Sequence, residues 1–263
     1  MIQYLYETHM HTCQGSACSD TPGHAYISRY IDAGFDGIII TDHFFRGNCA
    51  VDRSLPWGDR VRLFASGFED AWNEGQKRGF PVFFAWEENF EGDEYLIYGP
   101  GPDFMLAHPE MEHWTRREQF EAVHAAGGAV IQAHPFRARG YISRIHLNPK
   151  LVDGIEAFNM GNEPMWDTLA LQYGKHNGFV MTAGSDNHHA DRMTKDNLAG
   201  VYLDAPLQST MDYAHILRSG ANLRLHSPRT LPALPDEPQA EKPLDILDEN
   251  GAVISHDIRT VLF

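Results

Sequence analysis

Five apolar runs in this chain each end in side chains able to hold a metal ion. "YETHMHT" carries His9 and His11, "IIITDHF" carries Asp42 and His43, and "VFFAWEENFE" carries Glu87, Glu88 and Glu91. "IQAHPFR" ends in His134 and Arg137, and "TAGSDNHH" in Asp186, His188 and His189. Alternate residues of a strand share a face, so His9 and His11 stand with Cβ atoms about 7 Å apart and two imidazoles can converge on one ion. Taken alone, the fragment suits a hydrogen-bonded pair of core histidines equally well. An apolar strand offers Asp42 and His43 no solvation, so both need partners at its mouth; Asp42 serves there as a cap as readily as a ligand, and His43 is the better ligand candidate. Glu87, nearest its strand end, can bridge two cations through its two oxygens, while Glu88 points to the other side. Pro135 stops the strand and leaves His134 at the rim, and the planar guanidinium of Arg137 suits a two-pronged grip on phosphate. Gly184 permits the tight turn that brings Asp186 and His188 to one mouth, with His189 a substrate-facing group or a surface residue.

The elements that must position these groups follow from periodicity. Strands are expected at "QYLYETH", 36–41, 81–87, 94–99, 129–134, 153–158, 179–184 and 199–203, and helices at 22–33, 58–78, 115–126, 164–176 and 209–219. Alternating β and α elements indicate a mainly parallel sheet or barrel, in which the strand ends carrying the polar groups converge on one face. A nitrogen-rich set with a few carboxylates favours zinc, manganese or iron over magnesium or calcium. The segment 228–243, "PRTLPALPDEPQAEKP", holds five prolines and reads as an extended arm. After it, Asn250 and Gly251 between apolar flanks signal a type I′ hairpin within 244–263, packed on the main unit of residues 1–227.

Composition narrows the function. Thirty-six acidic side chains against twenty-one Lys and Arg give a formal charge of −15, which disfavours nucleic acid as a partner. Histidine is abundant, at fifteen residues, and is the commonest metal-binding side chain. The three cysteines, Cys13, Cys18 and Cys49, match neither a disulfide framework nor a zinc motif and are expected to be small reduced side chains. Neither a membrane span nor a secretory signal is evident, so a soluble cytoplasmic protein is expected, its oligomeric state left open.

The ordered set "HMH", "TDH", Glu87 in "AWEEN", "HPFR" and "SDNH" closely resembles the PHP (polymerase and histidinol phosphatase) domain family from about residue 4 to residue 203, and its texture is nearest to the stand-alone bacterial members. The resemblance implies an α/β fold, a distorted (βα)7 TIM-like barrel here carrying a small C-terminal extension. It implies two or three divalent ions (Zn, Mn or Fe) held by His9, His11, His43, Glu87, His134, Asp186 and His188, with Glu87 bridging, and a phosphate-contacting role for Arg137. The implied activity is a metal-dependent phosphoesterase that hydrolyses a small-molecule phosphate ester with a metal-activated water; Arg137 and His189 are the catalytic candidates, His189 as a proton donor. Two departures from the family's pattern stand out. After the first HxH the loop offers Asp20 or His24, neither at the usual spacing, and "YGPGPDF" lacks the histidine that often follows the fourth strand, so two ions are the expectation. Rival readings are an amidohydrolase-like metal hydrolase, which would often use a bridging lysine where this chain has Glu87, and a noncatalytic metal-binding module.

Overall fold

A computed structural model describes residues 3–263. The strands are β1 (Tyr4–Glu7), β2 (Gly37–Ile40), β3 (Val82–Phe84), β4 (Trp86–Phe90), β5 (Asp93–Tyr98), β6 (Ala129–Gln132), β7 (Ile145–Leu147), β8 (Gly154–Asn159), β9 (Val180–Gly184), β10 (Gly200–Leu203), β11 (Arg224–His226), β12 (Leu244–Leu247) and β13 (Val253–Ser255). The helices are α1 (Gly23–Ala33), α2 (Trp57–Arg78), α3 (Pro102–Ala107), α4 (Arg116–Ala125), α5 (Pro164–Asn177), α6 (Thr210–Arg218) and α7 (Arg259–Leu262). All eight expected strand regions and all five expected helices are present. Local chemistry explains several boundaries: α1, α2 and α5 stop at Gly34, Gly79 and Gly178 in left-handed conformation, while α4 and α6 open with capping boxes, Thr115 with Glu118 and Ser209 with Asp212.

The strands lie in three sheets, in the orders β11-β10-β1-β2-β3, β4-β5-β6-β8-β9 and β13-β12-β7. The two larger sheets share one core, in which Tyr6 and Ile39 meet Leu96, Tyr98, Ile131, Val201 and Tyr213, all buried. This mixed α/β arrangement has more antiparallel pairing than the mainly parallel sheet or barrel expected from periodicity. Among the described residues no continuous ladder closes the sheets; β1–β10, β10–β11, β4–β5 and β5–β6 are antiparallel, and β1–β2, β2–β3, β6–β8 and β8–β9 are parallel.

Two local features account for much of that difference. The run 81–87 is broken at Ala85, where the chain leaves the first sheet (β3) and enters the second (β4), so Glu87 sits where the two sheets meet. Only Glu91 and Gly92 separate β4 from β5, too few for a parallel crossover; their φ values of 56° and 104° make the tight antiparallel reversal. At the C-terminal hairpin the expected type I′ turn is not formed: Gly251 alone has positive φ, 79°, while Asn250 does not, and the five-residue loop Asp248–Ala252 closes through Asp248 N–H to Ala252 O, 2.9 Å. That is the pattern of a type I turn followed by a left-handed glycine. β12 of this hairpin also pairs in parallel with β7. No described helix is long and apolar enough to cross a membrane.

Candidate metal centre

Backbone hydrogen bonds between strand ends build the rim. Asp186 N–H donates to His9 O (2.7 Å), His11 N–H to Asn187 O (2.9 Å), Thr41 N–H to Met10 O (3.0 Å) and Phe44 N–H to Glu87 O (2.8 Å). These bonds tie together the segments just beyond β1, β2 and β9 and the start of β4, so the polar tips converge while Met10 is buried in apolar packing. Close approach at Gly184 is part of this assembly, because a Cβ there would collide with the Cβ of His9. Asp42 acts as an organiser: its carboxylate accepts from Thr12 N–H (2.6 Å), Thr12 Oγ1 (2.7 Å) and Ser16 Oγ (2.7 Å).

Glu87 occupies the centre. Its Oε1 lies 3.3 Å from His9 Nε2 and 3.1 Å from His134 Nε2, and its Oε2 lies 2.9 Å from His43 Nδ1 and 3.5 Å from His11 Nε2. Asp186 Oδ1 faces His11 Nε2 (3.1 Å), His188 Nδ1 (3.5 Å) and His9 Nε2 (3.6 Å), while its Oδ2 takes Arg137 Nη2 at 2.6 Å. Both carboxylates and the histidines facing them are almost fully buried, apart from a partly exposed His188. Two of the site residues, His134 and Asp186, hold positive φ (28° and 52°), a backbone strain that the rim contacts must offset.

Burial by itself would raise the carboxyls, but His9 and His43 hold Glu87 well below the usual range, and Arg137 and His9 do the same for Asp186. Burial, reinforced by His188 and His43, depresses His11 well below an ordinary imidazole. The result is ionised carboxylates facing crowded imidazoles.

The residues fit divalent cations on one test in particular. His9 Nε2, His11 Nε2, His43 Nδ1 and Glu87 Oε2 are buried and lack a hydrogen-bond partner among the described residues, although each stands within 4 Å of a complementary atom. An unpaired buried polar atom costs about 1–3 kcal/mol, and four in one place are satisfied together by a bound cation. Donor atoms lie within 4.8 Å of one another in the groups His9–His11–Asp186, His9–Glu87–His134, His43–Glu87–Glu94 and His11–His43–His188. Imidazole nitrogens with carboxylate oxygens suit zinc, manganese or iron.

All seven sequence-derived ligand candidates therefore meet in one cluster. Arg137 is pinned beside it, with Nε donating to Asn162 Oδ1 (2.9 Å) and Nη2 to Asn159 Oδ1 (2.8 Å) as well as to Asp186. His189 stands further out, its Nδ1 2.8 Å from Asp20 Oδ2, on the wall of an open cavity of about 520 Å³ shared with Arg137, Tyr141 and Asp186. Neither Asp20 nor His24 reaches the cluster: Asp20 faces His189, and the half-exposed His24 pairs with Asp70 at 2.8 Å.

Three groups near the centre are absent from the sequence-derived set. Glu94 places Oε1 3.7 Å from His43 Nδ1 and Oε2 3.5 Å from His134 Nε2. Because β5 is antiparallel, its first residues lie at the end where parallel strands present their last; an acid opening the apolar run "EYLIYG" was the available signal. Glu156 orients His9, with Oε1 2.9 Å from Nδ1, and accepts His134 N–H through Oε2 (3.1 Å). Cys18, expected only as a small reduced side chain, lines a cavity with His43, Glu94, Arg137 and His188, and although burial raises its thiol, contact with His188 and His43 brings it down to about 6.

Against known proteins, no family model matches the chain, and no curated protein matches it. Solved structures do. A two-domain protein from Bacteroides vulgatus, named for a PHP-like metal-dependent phosphoesterase inferred within it, superposes with a TM-score of 0.58 at 12% identity over 86% of this chain and 65% of its own. A lesion-specific endonuclease from Pyrococcus furiosus gives 0.54 at 11% identity, over 85% of this chain and 58% of that one. A protein from Bifidobacterium adolescentis, provisionally named a metal-dependent phosphoesterase, gives 0.51 at 14% identity over 81% and 96%. The chain thus shares the fold of PHP-like proteins, in agreement with the motif resemblance.

Proposed function

We propose that the chain is a metal-dependent phosphoesterase of the PHP type that hydrolyses a small-molecule phosphate ester. The observation that carries this reading is Glu87, whose two oxygens each face imidazoles of different strands, beside an arginine fixed at the rim. His9, His11, His43, Glu87, His134, Asp186 and His188 would hold two divalent ions, with Glu94 as an added oxygen donor. When bound, such ions supply Lewis acidity toward a phosphoryl oxygen and toward the attacking water.

The protein's own groups do the rest. Glu87 and Asp186 hold negative charge against which the cations are fixed, and Glu156 sets the ring orientation of His9. Arg137 spends Nε and Nη2 on Asn162, Asn159 and Asp186, which leaves Nη1 to donate to a nonbridging phosphoryl oxygen. His189, oriented by Asp20 on the outer wall, delivers a proton to the leaving oxygen. A charge of −15 supports a small substrate over a nucleic acid backbone, and three free cysteines agree with a reducing cytoplasm.

Metal-loaded protein incubated with sugar, nucleotide and amino-alcohol phosphates is expected to release phosphate from at least one of them, and Glu87→Gln to abolish the release. No release from any member of the panel overturns the activity. Salt-sensitive binding to DNA in a gel shift would overturn the small-substrate part alone.

A further inference from the structure

The loop that follows β8 packs directly against Arg137. Asn159 Oδ1 accepts from Arg137 Nη2 (2.8 Å) and Asn162 Oδ1 from its Nε (2.9 Å). The fit between them is close: a Cβ on Gly161 would lie 3.1 Å from Arg137 Nη2 and 3.2 Å from Asp186 Oδ2. Both asparagines are buried, and each also donates to one carboxylate oxygen on α5, Asp167 Oδ1, from Asn162 Nδ2 at 2.9 Å and from Asn159 N–H at 3.3 Å.

Asp167 is fully buried, and its cation comes from outside the main unit. Arg229, the second residue of the proline-rich segment 228–243, places Nη1 2.7 Å from Asp167 Oδ2. The same guanidinium donates to Asn159 O (3.1 Å, from Nη1) and to Met160 O (3.0 Å, from Nη2). The segment is fastened to α5 at two further points, Thr168 Oγ1 to Pro232 O (2.9 Å) and Trp166 Nε1 to Glu241 Oε1 (2.8 Å). Those two contacts anchor the arm. Arg229 instead meets a buried charge and two carbonyls of the loop that fixes Arg137, so a hydrogen-bonded path runs from the arm through Asp167 and Asn162 to the guanidinium at the rim.

We propose that Arg229 is a positioning residue for Arg137: through Asp167 and the loop Asn159–Asn162, the proline-rich arm sets the direction in which Arg137 presents Nη1. The assignment rests on the phosphoesterase reading, in which that nitrogen meets a phosphoryl oxygen. It makes the arm part of the catalytic apparatus, because a small misplacement of a substrate-holding group is costly even when its origin is remote.

Inorganic phosphate titrated calorimetrically into metal-loaded protein is the first probe. Its affinity is expected to fall about tenfold in Arg229→Gln, as when a hydrogen bond to a charged group is lost, but by less than about twofold when the same change is made in Arg137→Ala. With p-nitrophenyl phosphate at saturating metal, Arg229→Gln should lower kcat/KM by about 10–100-fold. Glu241→Ala loosens the arm without touching the path and should leave both quantities unchanged, although each variant lowers the thermal midpoint. If Arg229→Gln does not fold, Arg229→Lys keeps a charge for Asp167 but not the fork to the two carbonyls, and a smaller loss that again vanishes in Arg137→Ala is expected. Phosphate affinity unchanged by the Arg229 variant, matched by Glu241→Ala, or lowered by the same factor with and without Arg137 overturns the positioning role and leaves the phosphoesterase reading standing. A metal-loaded parent that neither binds phosphate nor hydrolyses any ester overturns both.

Discussion

Asp186 divides its carboxylate between two tasks: Oδ1 faces the histidines and Oδ2 receives Arg137 Nη2 at 2.6 Å. Arg137 therefore holds a proposed ligand in place as well as offering Nη1 to substrate. Arg137→Ala is expected to lower kcat/KM by about 10²–10³-fold through the lost phosphoryl contact, and metal affinity by about 10–100-fold through the freed carboxylate. Arg137→Lys restores charge but not the fork, so it should recover metal affinity more than turnover. Steady-state kinetics at saturating metal, set beside metal titrations, separate the two effects. Equal losses in both variants would assign Arg137 a single task.

Glu156 touches no substrate in this scheme, yet it accepts from His134 N–H and from Asn159 Nδ2 (2.8 Å) while orienting His9. Its removal disturbs two proposed ligands at once. Glu156→Ala should weaken metal binding by about 10–100-fold, and excess metal should restore most of the rate. A variant inactive at every metal concentration would place Glu156 among the reacting groups instead.

What could be read from the sequence follows from the physics of each part. The candidate ligand set was legible because an apolar strand cannot solvate its terminal histidines and acids, so their clustering at the ends of "IIITDHF" and "TAGSDNHH" needed an explanation in common. Glu94 escaped because a single sequence does not give strand direction directly, although the six residues between the runs ending at Glu87 and starting at Glu94 were too few for a crossover. Cys18 escaped for another reason. Its position depends on backbone bonds to Asn48 and His188, residues thirty and one hundred and seventy places away, which no local pattern encodes. The hairpin turns illustrate the same limit: Asn250–Gly251 carried the type I′ signal, and Glu91–Gly92 adopts the doubly positive φ.

Removing metal should destabilise the fold, since crowded carboxylates and unpartnered imidazoles are left facing one another. A ligand present at about 100 times its dissociation constant adds about 2.7 kcal/mol to the unfolding free energy. Chelation is accordingly expected to lower the thermal midpoint of the parent, with a smaller drop in His11→Ala. An unchanged midpoint would mean that the cluster satisfies itself without an ion.

Gly184 makes a separate steric prediction. Its missing Cβ allows the end of β9 to lie against His9, so Gly184→Ala must push that strand end away from β1 and with it the Asp186 turn. Overpacking of this kind costs about 1–3 kcal/mol. Stability should fall by that amount and metal affinity with it, whereas Gly140→Ala, where nothing lies close, should change neither. Urea unfolding and metal titration of both variants give the comparison.

Asp93, next to Glu94 in β5, pairs with Arg116 and carries a pH dependence of its own. Arg116 grips both oxygens of Asp93, at 2.8 Å from Nε and 2.6 Å from Nη2, and Tyr95 donates to the same carboxylate at 2.5 Å. Burial opposes the charge, but Arg116, His146 and Tyr95 hold Asp93 below its ordinary value. A depressed carboxyl stabilises the fold above its unfolded-state pKa of about 3.9, and the contribution disappears as pH falls through the lower folded-state value. Asp93→Asn leaves Arg116 with Phe90 O (3.0 Å) and Glu91 (3.3 Å) but without its buried carboxylate, and should cost about 1.5–3 kcal/mol near neutrality. Measured on chelated protein, so that metal loss does not enter, the gap between parent and variant should narrow below about pH 4. A gap of the same size at both pH values would mean that packing, not charge, is what Asp93 contributes.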